Sequence, residues 1–598
     1  MLPARRPRIW VDPESAALPP ASVPFIGRPL LRWITWAAIS LVLVLVFGIF
    51  RFQTPEHHAY VPPPYIPGQH KSRLRPPPPL PWKHQGPRPG PSSPERPTVT
   101  DPKWSARADK VKQAFVHAYD GYRQHALPDD ELRPISGTGI NNLNGWGLTV
   151  FDALDTMWVM GLNDTFDDAL EIIAGSTFIS PRSDRFVPFF ETVIRYLGGM
   201  LSAYALSGET VLLARADDLA VMLLPAFDTT SGFPMYAVDP QTGQIRAGWN
   251  GDNVLWSEAL SNQLELTSGL FREGIHVLPL ELRFAYYVPP DDIYPTLWDI
   301  ETGRSSNDVF SVGAFADSAH EYLLKQWLLT SQSELKTREI YLRSINAVIN
   351  NLLYLTPKRQ LLYVTDTRDS IPSHTFEHLS CFFPGLLALG VHTLNLPPKE
   401  RELHSWAAEG LARTCWATYL DTETGLGPDE VQMLPGVWNE GEKGLWIKHL
   451  GEWEKKGRQG NPPGIGEVEK AEEKEYIMKK QKYLLRPETL ESFYILWRTT
   501  GQEIWRERGW TIFEAIERHA RTEYGYANVD HVDRLPVEHI DEMPSWFLAE
   551  TLKYLYLLFT DEDLLPLDEW VFNTEAHPLP IFKWKKWEKE KYGIPVTV

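Results

Sequence analysis

The chain has 598 residues and a formal net charge of −18 at pH 7. A chain this acidic has no bulk attraction for nucleic acid or for an anionic membrane surface, so we expect a neutral or small partner. Aromatic residues make up 12% of the chain, and we expect most of them in a large hydrophobic core.

An uncharged apolar run, WITWAAISLVLVLVFGIF, occupies residues 33–50. It is about the minimum length for a membrane-spanning helix. Five arginines lie between residues 5 and 32, and the positive-inside rule then predicts a cytosolic tail at 1–32 and a lumenal remainder. A cleaved signal peptide is the alternative, but the long preceding tail and the lack of a small-residue cleavage site favour a signal anchor.

Residues 51–103 are rich in proline, with the runs VPPPYIPG, RPPPPLPW and GPRPGPSSP. Such a segment cannot pack a core, so it is predicted to form an extended lumenal stem. A ligand for a proline-recognising domain is the alternative, which a lumenal location disfavours.

From residue 104 to 598 the pattern is mostly helical. Segments such as KVKQAFVHAYDGYRQHA, FFETVIRYLGGMLSAYAL and SWFLAETLKYLYLLF carry apolar residues at spacings of three and four. The turns AVDPQTGQ and DIETGR predict small hairpins. We therefore expect one large all-α domain of paired helices that close into a toroid, with loops on one face that can build a site.

One segment departs from this pattern. Residues 442–482 include KHLGEWEKKGRQGNPPGIGEVEKAEEKEYIMKKQK, which is highly charged and poor in core-forming residues. We interpret it as a solvated surface insertion in the domain rather than as a specific interaction site.

Several acids stand within apolar helical segments, where an unpaired charge is costly to bury. They are Glu191, Asp317, Glu488, Glu491 and Glu550. Taken singly, each has a structural explanation: Glu191 can pair with Arg195 one turn later, and acids in a first helical turn can cap the helix. Whether these acids have a structural or a functional role depends on whether they lie close together in the folded chain.

Seven motifs together resemble one family. They are GWGLTVFDALDTMWVMGL, FETVIRYLGGMLSAY, ADSAHEYLLKQW, HLSCFFPGLLALG, LLRPETLES, FLAETLKYLYLLF and FNTEAHPL. In this order, from about Lys110 to Pro580, they resemble the class I α-mannosidases of glycoside hydrolase family 47. The resemblance implies an (α/α)7 barrel that hydrolyses α-1,2-linked mannose from high-mannose N-glycans with inversion and with the help of a calcium ion.

The resemblance also implies residue roles. Glu191 corresponds to the general acid, Glu488 to the general base and Asp317 to a third catalytic carboxylate, although the choice of proton donor stays open. Thr574 corresponds to the direct calcium ligand and Glu575 to an acid that holds the ion through water. The remaining expected site residues, which contact the sugar or the ion's water shell, are Arg195, Glu265, His378, Arg486, Glu491, Trp546 and Glu550.

The chemistry of such a site agrees with this set of residues. An inverting glycosidase needs a proton donor and a base that activates water, about 6.5 to 9.5 Å apart. Calcium takes about six to eight oxygen ligands, so one threonine with waters held by carboxylates is a sensible site.

The chain has only two cysteines, Cys381 and Cys415. Two are too few for a disulfide scaffold and lack zinc-site spacing, but in an oxidising lumen one bridge is credible. The resemblance places a disulfide at these positions.

Three departures from the family pattern stand out, of which the first two bear on the sugar site and the third could either rebuild a loop at the glycan-binding face or disrupt the barrel. Phe315 stands where members that remove a single particular mannose carry arginine, and an aromatic ring cannot replace a guanidinium fork, so we expect a different branch specificity. Trp546 replaces a usual phenylalanine. The segment after Glu265 lacks the expected Thr-Gly-Asp ending.

The leading hypothesis is thus a single-pass, calcium-dependent processing mannosidase of the endoplasmic reticulum or Golgi membrane. A degradation-type mannosidase that acts on misfolded glycoproteins is one alternative. A glycan-binding relative with little catalysis is another.

Overall fold

The computed structural model describes residues 101–179, 184–269, 292–436 and 444–587. The predicted cytosolic tail, the membrane anchor and nearly all of the proline-rich stem lie outside these residues, as does most of the divergent segment after Glu265. Across the described ranges, no helix is both long enough and apolar enough to cross a membrane.

Helices dominate the described part of the chain. In chain order they are α1 (Pro102–His125), α2 (Leu148–Asp152), α3 (Leu154–Val159), α4 (Asn163–Gly175), α5 (Phe189–Glu191), α6 (Gly198–Ser207), α7 (Thr210–Leu223), α8 (Trp256–Leu260), α9 (Gln263–Gly269), α10 (Asp317–Leu329), α11 (Leu335–Asn351), α12 (Phe383–Thr393), α13 (Pro398–Leu420), α14 (Trp446–Lys455), α15 (Glu488–Thr500), α16 (Ile504–His519) and α17 (Leu552–Phe559).

The start of α1 shows how local sequence sets a helix boundary. The Asp101 side chain accepts a hydrogen bond from the Lys103 backbone N–H at 2.9 Å, and Pro102 occupies the first turn. The buried face of α1 includes Trp104, Val111 and Phe115 at helical spacing. The helix thus begins two residues before the predicted domain boundary at 104.

The strands are short and pair only in antiparallel fashion among the described residues. They are β1 (Glu131–Arg133), β2 (Thr138–Ile140), β3 (Val187–Pro188), β4 (Ala237–Val238), β5 (Ile245–Arg246), β6 (Asn253–Leu255), β7 (Leu297–Asp299), β8 (Val309–Phe310), β9 (Leu353–Leu355), β10 (Leu362–Val364), β11 (Thr367–Arg368), β12 (Ile371–Pro372), β13 (Thr375–Glu377), β14 (Glu430–Met433), β15 (Tyr476–Lys480), β16 (Asn528–Val529), β17 (His539–Ile540), β18 (Trp570–Phe572) and β19 (Pro578–Pro580).

Two of the predicted turns are confirmed. The turn AVDPQTGQ joins β4 to β5, in which Ala237 pairs with Arg246. The turn DIETGR is closed by a bridge between Trp298 and Ser305.

The sheets are small. Three-stranded sheets form in the orders β3-β4-β5, β12-β11-β8 and β13-β14-β15, and the other pairs are β1-β2, β6-β7, β9-β10, β16-β17 and β18-β19. Each is too small to supply a core of its own, so the sheets act as connections between helices.

Consecutive helices pack against each other as pairs. The pairs α6 with α7, α10 with α11, α12 with α13 and α15 with α16 are in contact, and α15 also packs on α12 and α17. The last of these helices, α17, packs on the first, α1. Helical hairpins with one continuous core were predicted from the apolar periodicity, and this arrangement confirms them.

Two helical regions are widened by a π-helical turn. One turn, Thr192–Leu197, follows Glu191 directly, and the other, Phe547–Thr551, contains Glu550. Such turns add a residue to the helix and redirect side chains, and they are frequent at functional sites. Both interruptions therefore fall at acids that the sequence singled out.

The charged segment 442–482 is only partly a surface insertion. Its middle is exposed, but Trp446 is fully buried and its indole N–H donates to the Pro463 carbonyl at 2.8 Å. Its end forms β15, which pairs with β14. An aromatic anchor at one end and strand pairing at the other fix the segment to the fold, which corrects the prediction that the whole segment is a solvated surface insertion.

A disulfide joins Cys381 to Cys415, with their Cα atoms 6.0 Å apart. Cys381 lies in the 3₁₀ turn His378–Phe382, and Cys415 lies on α13. The bond therefore ties a turn that carries a predicted site residue to a long helix.

Replacing both cysteines by alanine should lower the free energy of unfolding by about 3 to 4 kcal/mol, because a link across 34 residues restricts the unfolded chain. Urea unfolding followed by tryptophan fluorescence would measure the loss. Reduced wild-type protein is the control and should unfold at the same midpoint as the double variant. An unchanged midpoint in the double variant would contradict this prediction.

Candidate active site

The amino end of α15 brings three predicted site residues together. Arg486 precedes the helix, Glu488 is its first residue and Glu491 lies in its first turn. The Arg486 guanidinium donates through Nε to Asp429 Oδ1 at 2.7 Å, and its Nη1 lies 3.7 Å from Glu488 Oε1. The pair with Asp429 holds Arg486 in place, so that its charge lies beside Glu488.

Glu488 is held as a carboxylate. Its Oε2 lies 2.6 Å from His378 Nδ1, and its side chain is 12% exposed. Burial by itself would raise the pKa of Glu488, but the hydrogen bond from His378 and the charge of Arg486 outweigh burial and lower that pKa below its ordinary value. An ionised carboxylate of this kind can accept a proton from water.

Asp317 has the opposite electrostatic character. It is the first residue of α10, and its Oδ1 accepts the Ser318 backbone N–H at 2.7 Å. Burial, together with the negative charges of Glu321, Glu377 and Glu488, raises the pKa of Asp317 to about 7. Two neighbouring acids with pKa values pushed in opposite directions are the arrangement expected of an acid and a base.

Arg195 organises a second group of acids. Its Nε donates to Glu191 Oε2 at 2.8 Å, its Nη1 lies 3.4 Å from Asp152 Oδ2, and it pairs with Glu575. The Glu191 side chain is 37% exposed, whereas those of Asp152 and Glu575 are buried. The predicted pairing of Glu191 with Arg195 is therefore present, and it is one part of a larger network.

Trp546 joins the two groups. Its indole N–H donates to the Leu484 carbonyl at 3.1 Å, which fixes the ring. The guanidinium carbons of Arg195 and Arg486 each lie 5.6 Å from the ring centroid. A tryptophan face attracts cations at this distance, so the ring holds both arginines beside one site.

A group of buried acids includes two next to Thr574 and two that interact with those acids. These acids are Glu321, Glu491, Glu550 and Glu575. Lys325 pairs with Glu321 and lies 3.7 Å from Glu491 Oε1. Burial and the charge of Glu321 raise the pKa of Glu491 to about 8, and burial with the charges of Glu575 and Glu488 raises the pKa of Glu550. The cations beside these four acids are Lys325, Arg195 and, acting on Glu575, Lys553, so the acids outnumber them.

The residues at Thr574 fit a hard cation. Thr574 is half-buried, and its hydroxyl lies 3.5 Å from Glu321 Oε1, so its oxygen faces the acids. No three acid, histidine or cysteine side chains in the described ranges converge closely enough to bind one ion directly. The Thr574 hydroxyl and the nearby carboxylate oxygens are the type of ligand that calcium takes in proteins.

Glu265 has a different place from the other expected site residues. It is fully buried, and its Oε1 accepts hydrogen bonds from Tyr322 and Asn573, both at 2.7 Å. Asn573 directly precedes Thr574. The structure thus places Glu265 behind the Thr574 turn, where it supports that turn.

Several polar residues of the site were not among the predicted ones. Glu321 and Lys325 stand four and eight residues after Asp317, so helical periodicity along the quoted motif could have found them. Asp152 lies in another quoted motif. Asp429 has no local signal, because it reaches Arg486 only through tertiary folding.

The rim of the site next to Asp317 is aromatic. Phe315 has a φ of +77°, which is uncommon for a bulky residue, and its side chain is 44% exposed. The Ala314 backbone N–H donates to Glu377 at 2.7 Å, which holds this loop. The Phe315 ring lies 5.8 Å from that of Trp249, which is 71% exposed. An exposed aromatic pair therefore adjoins a predicted catalytic acid.

Comparison with known proteins places this geometry in a family. The family described as Glycosyl hydrolase family 47 matches residues 114–581. Mannosyl-oligosaccharide alpha-1,2-mannosidase IA of Spodoptera frugiperda is 35% identical over 494 residues, which are 80% of this chain and 68% of that protein. The endoplasmic reticulum mannosyl-oligosaccharide 1,2-alpha-mannosidase of Rattus norvegicus is 36% identical over 490 residues, with the same two shares, 80% and 68%.

A solved structure has the same fold. The alpha-1,2-mannosidase from Trichoderma reesei superposes with a TM-score of 0.69 at 26% identity, and the match covers 80% of this chain and 99% of that one. Its fold is an α/α barrel. Because the family match spans most of the chain and the relatives exceed 30% identity over most of their own length, the chain belongs to glycosyl hydrolase family 47.

Proposed function

We propose that this chain removes terminal α-1,2-linked mannose from high-mannose N-glycans, as an inverting and calcium-dependent hydrolase of the secretory pathway. Family membership and the names of its relatives support the reaction and the substrate class. The observation that carries the proposal is the pair formed by Glu488 and Asp317, whose pKa values are shifted in opposite directions within one carboxylate-rich site.

In the proposed mechanism Glu488 is the general base. It takes a proton from the water that attacks the anomeric carbon, and His378 and Arg486 stabilise its carboxylate until that step. Direct attack by water from the face opposite the leaving group inverts the anomeric centre.

Asp317 is the proposed proton donor. As the bond between the anomeric carbon and the glycosidic oxygen breaks, that oxygen takes the proton of Asp317, directly or through one water. The sequence resemblance gives the donor role to Glu191. However, Glu191 is paired with Arg195 and partly exposed, whereas Asp317 keeps its proton to about pH 7. Glu191 then serves as the third carboxylate, which holds Arg195 and the sugar.

Thr574 would hold calcium directly, and Glu575 with its neighbouring acids would hold the ion's waters. When bound, calcium would supply a Lewis-acidic contact for vicinal sugar hydroxyls. The excess of buried acids near Thr574 supports this assignment, since a divalent cation would offset their mutual repulsion.

We further propose an (α/α)7 barrel for the catalytic domain, with the apolar run 33–50 as a signal anchor and the proline-rich segment as a stem. Homologues assigned by name to the endoplasmic reticulum support a secretory location. An anchored catalytic domain on a stem is suited to processing of membrane-bound and secreted glycoproteins.

Purified full-length chain should release mannose from a nine-mannose glycan in calcium, lose this activity in chelator and regain it when calcium is restored. Glu488→Gln should lower kcat by about 100-fold or more, because the base is removed. Mass spectrometry of the glycan products would measure both effects. The exposed Glu514→Gln on α16 is the matched control and should retain activity.

Two results would contradict the proposal. Glycan binding without mannose release in any condition would identify a lectin-like relative. Full activity in chelator would exclude the calcium role.

Asp317→Asn should lose mannose release from glycan by about 100-fold yet still hydrolyse α-mannosyl fluoride, whose leaving group needs no proton. Wild-type turnover of glycan should fall above about pH 7, where Asp317 loses its proton, and on the acidic side once Glu488 takes up a proton. The alkaline fall should be absent with the fluoride. Initial rates against pH for both substrates would measure these effects. If the fluoride restored activity to Glu191→Gln but not to Asp317→Asn, Glu191 and not Asp317 would be the proton donor.

Phe315→Arg should narrow the set of mannoses that are removed, because a guanidinium fork binds particular hydroxyls of one branch, whereas an aromatic ring does not. Chromatographic separation of trimmed isomers over time would reveal the change. The exposed Ile504→Arg on α16 is the control and should leave the product order unchanged. An unaltered order in Phe315→Arg would exclude this position from branch selection.

A further inference from the structure

His378 lies between the proposed base and a buried tyrosine. Its Nδ1 is 2.6 Å from Glu488 Oε2, and its Nε2 is 2.6 Å from the Tyr419 hydroxyl. Tyr419 and His378 are both buried, at 1% and 4% exposure. The Tyr419 hydroxyl contacts the imidazole nitrogen opposite the one that contacts Glu488. This tyrosine is therefore placed to act on Glu488 through the imidazole and not on the sugar.

Two features hold this arrangement in place. Cys381 stands three residues after His378, and Cys415 stands four residues before Tyr419, so their disulfide ties together the two elements that carry the pair. The His378 backbone N–H also donates to the Asp429 carbonyl at 2.9 Å. A link one helical turn away from each partner limits how far the histidine and the tyrosine can separate.

The backbone after α13 covers the tyrosine ring. A Cβ atom on Gly427 would approach the Tyr419 ring to 2.6 Å, so only glycine lets the chain lie on this face. The Tyr419 ring is therefore enclosed as well as hydrogen-bonded.

We propose that Tyr419 is a positioning residue for Glu488: its O–H donates to His378 Nε2, which leaves the proton on Nδ1 to donate to the Glu488 carboxylate. A neutral imidazole has one donor and one acceptor nitrogen, so a donor at Nε2 selects the Nδ1–H tautomer. This inference rests on the proposed function, because it assigns to Glu488 the role of base.

The alternative partner of His378 Nε2 is weaker. Thr489 Oγ1 lies 3.3 Å away, compared with 2.6 Å for the tyrosine hydroxyl. Burial also raises the pKa of Tyr419 well above its ordinary value, so the phenol keeps the proton that it donates.

Other charged and titratable groups also interact electrostatically with Glu488. They are Arg486, Asp317, Glu321, Glu491, Glu550 and Tyr483. The four acids oppose ionisation of Glu488, and Arg486 favours it. The donated hydrogen bond from His378 therefore opposes several negative charges, and its loss should be measurable.

Tyr419→Phe in the full-length chain should lower kcat for mannose release by at least about tenfold, with KM unchanged within twofold. The acidic limb of the kcat profile should move to higher pH, because Glu488 without its donor gains a proton more readily. Tyr341→Phe, which removes another fully buried phenol hydroxyl, is the control and should match wild type. Thr489→Val should have a smaller effect than Tyr419→Phe.

A wild-type kcat and pH profile in Tyr419→Phe would overturn the proposal, as would a larger loss in Thr489→Val. A change in KM alone would also overturn it, since that result would indicate contact with the sugar.

A second measurement does not depend on turnover. Nitrogen-15 spectra of histidine-labelled wild-type chain, with the His378 signal assigned by His378→Gln, should show a neutral imidazole with its proton on Nδ1. The Nε2–H tautomer or an imidazolium would overturn the proposal. Absence of mannose release from wild type would refute the proposed function, while the tautomer would still decide the role of Tyr419.

Discussion

The burial of many carboxylates within one helical fold is the constraint on which the rest of the structure depends. An unpaired charge inside a protein is costly, so each acid must be paired, protonated or placed near a cation. Glu488 is paired, Asp317 keeps its proton up to about pH 7, and the acids near Thr574 outnumber the cations beside them. This cost of buried negative charge is the common reason for the positive side chains beside the acids and for the proposed metal.

The scaffold reflects the same requirement in its geometry. The π-helical turns lie directly after Glu191 and around Glu550, where a widened turn changes the direction of side chains, and glycines allow the surrounding elements to approach closely. A Cβ atom on Gly199 would lie 2.3 Å from the Phe151 carbonyl oxygen, so any other residue would push α6 away from α2. The site is therefore shaped by backbone features as well as by side chains.

Support for the site extends well behind the reacting groups. Glu265 fixes Asn573 beside Thr574, Asp429 holds Arg486, and the disulfide stands beside the His378 turn. Residues of this kind help to decide whether the groups that they hold are oriented correctly. Their loss should affect rate more than binding, which separates their role from that of the sugar-contacting residues.

The sequence by itself determined the helical segments, the short hairpins and the family, since apolar periodicity and long motifs depend only on order along the chain. It also named most of the site acids, because they lie in those motifs. It could not distinguish capping from catalysis at Glu488, because that depends on His378 and Arg486. His378 is distant from Glu488 in the chain, and Arg486 is held in place by Asp429, which is also distant.

Tertiary structure alone decided how each acid behaves. The pKa values of Glu488 and Asp317 are shifted in opposite directions by residues that are far apart in sequence. Contacts between distant residues also place Glu265 behind the Thr574 turn and Tyr419 beside His378. Burial and the distances between charges set these properties, and neither quantity is defined until the chain has folded.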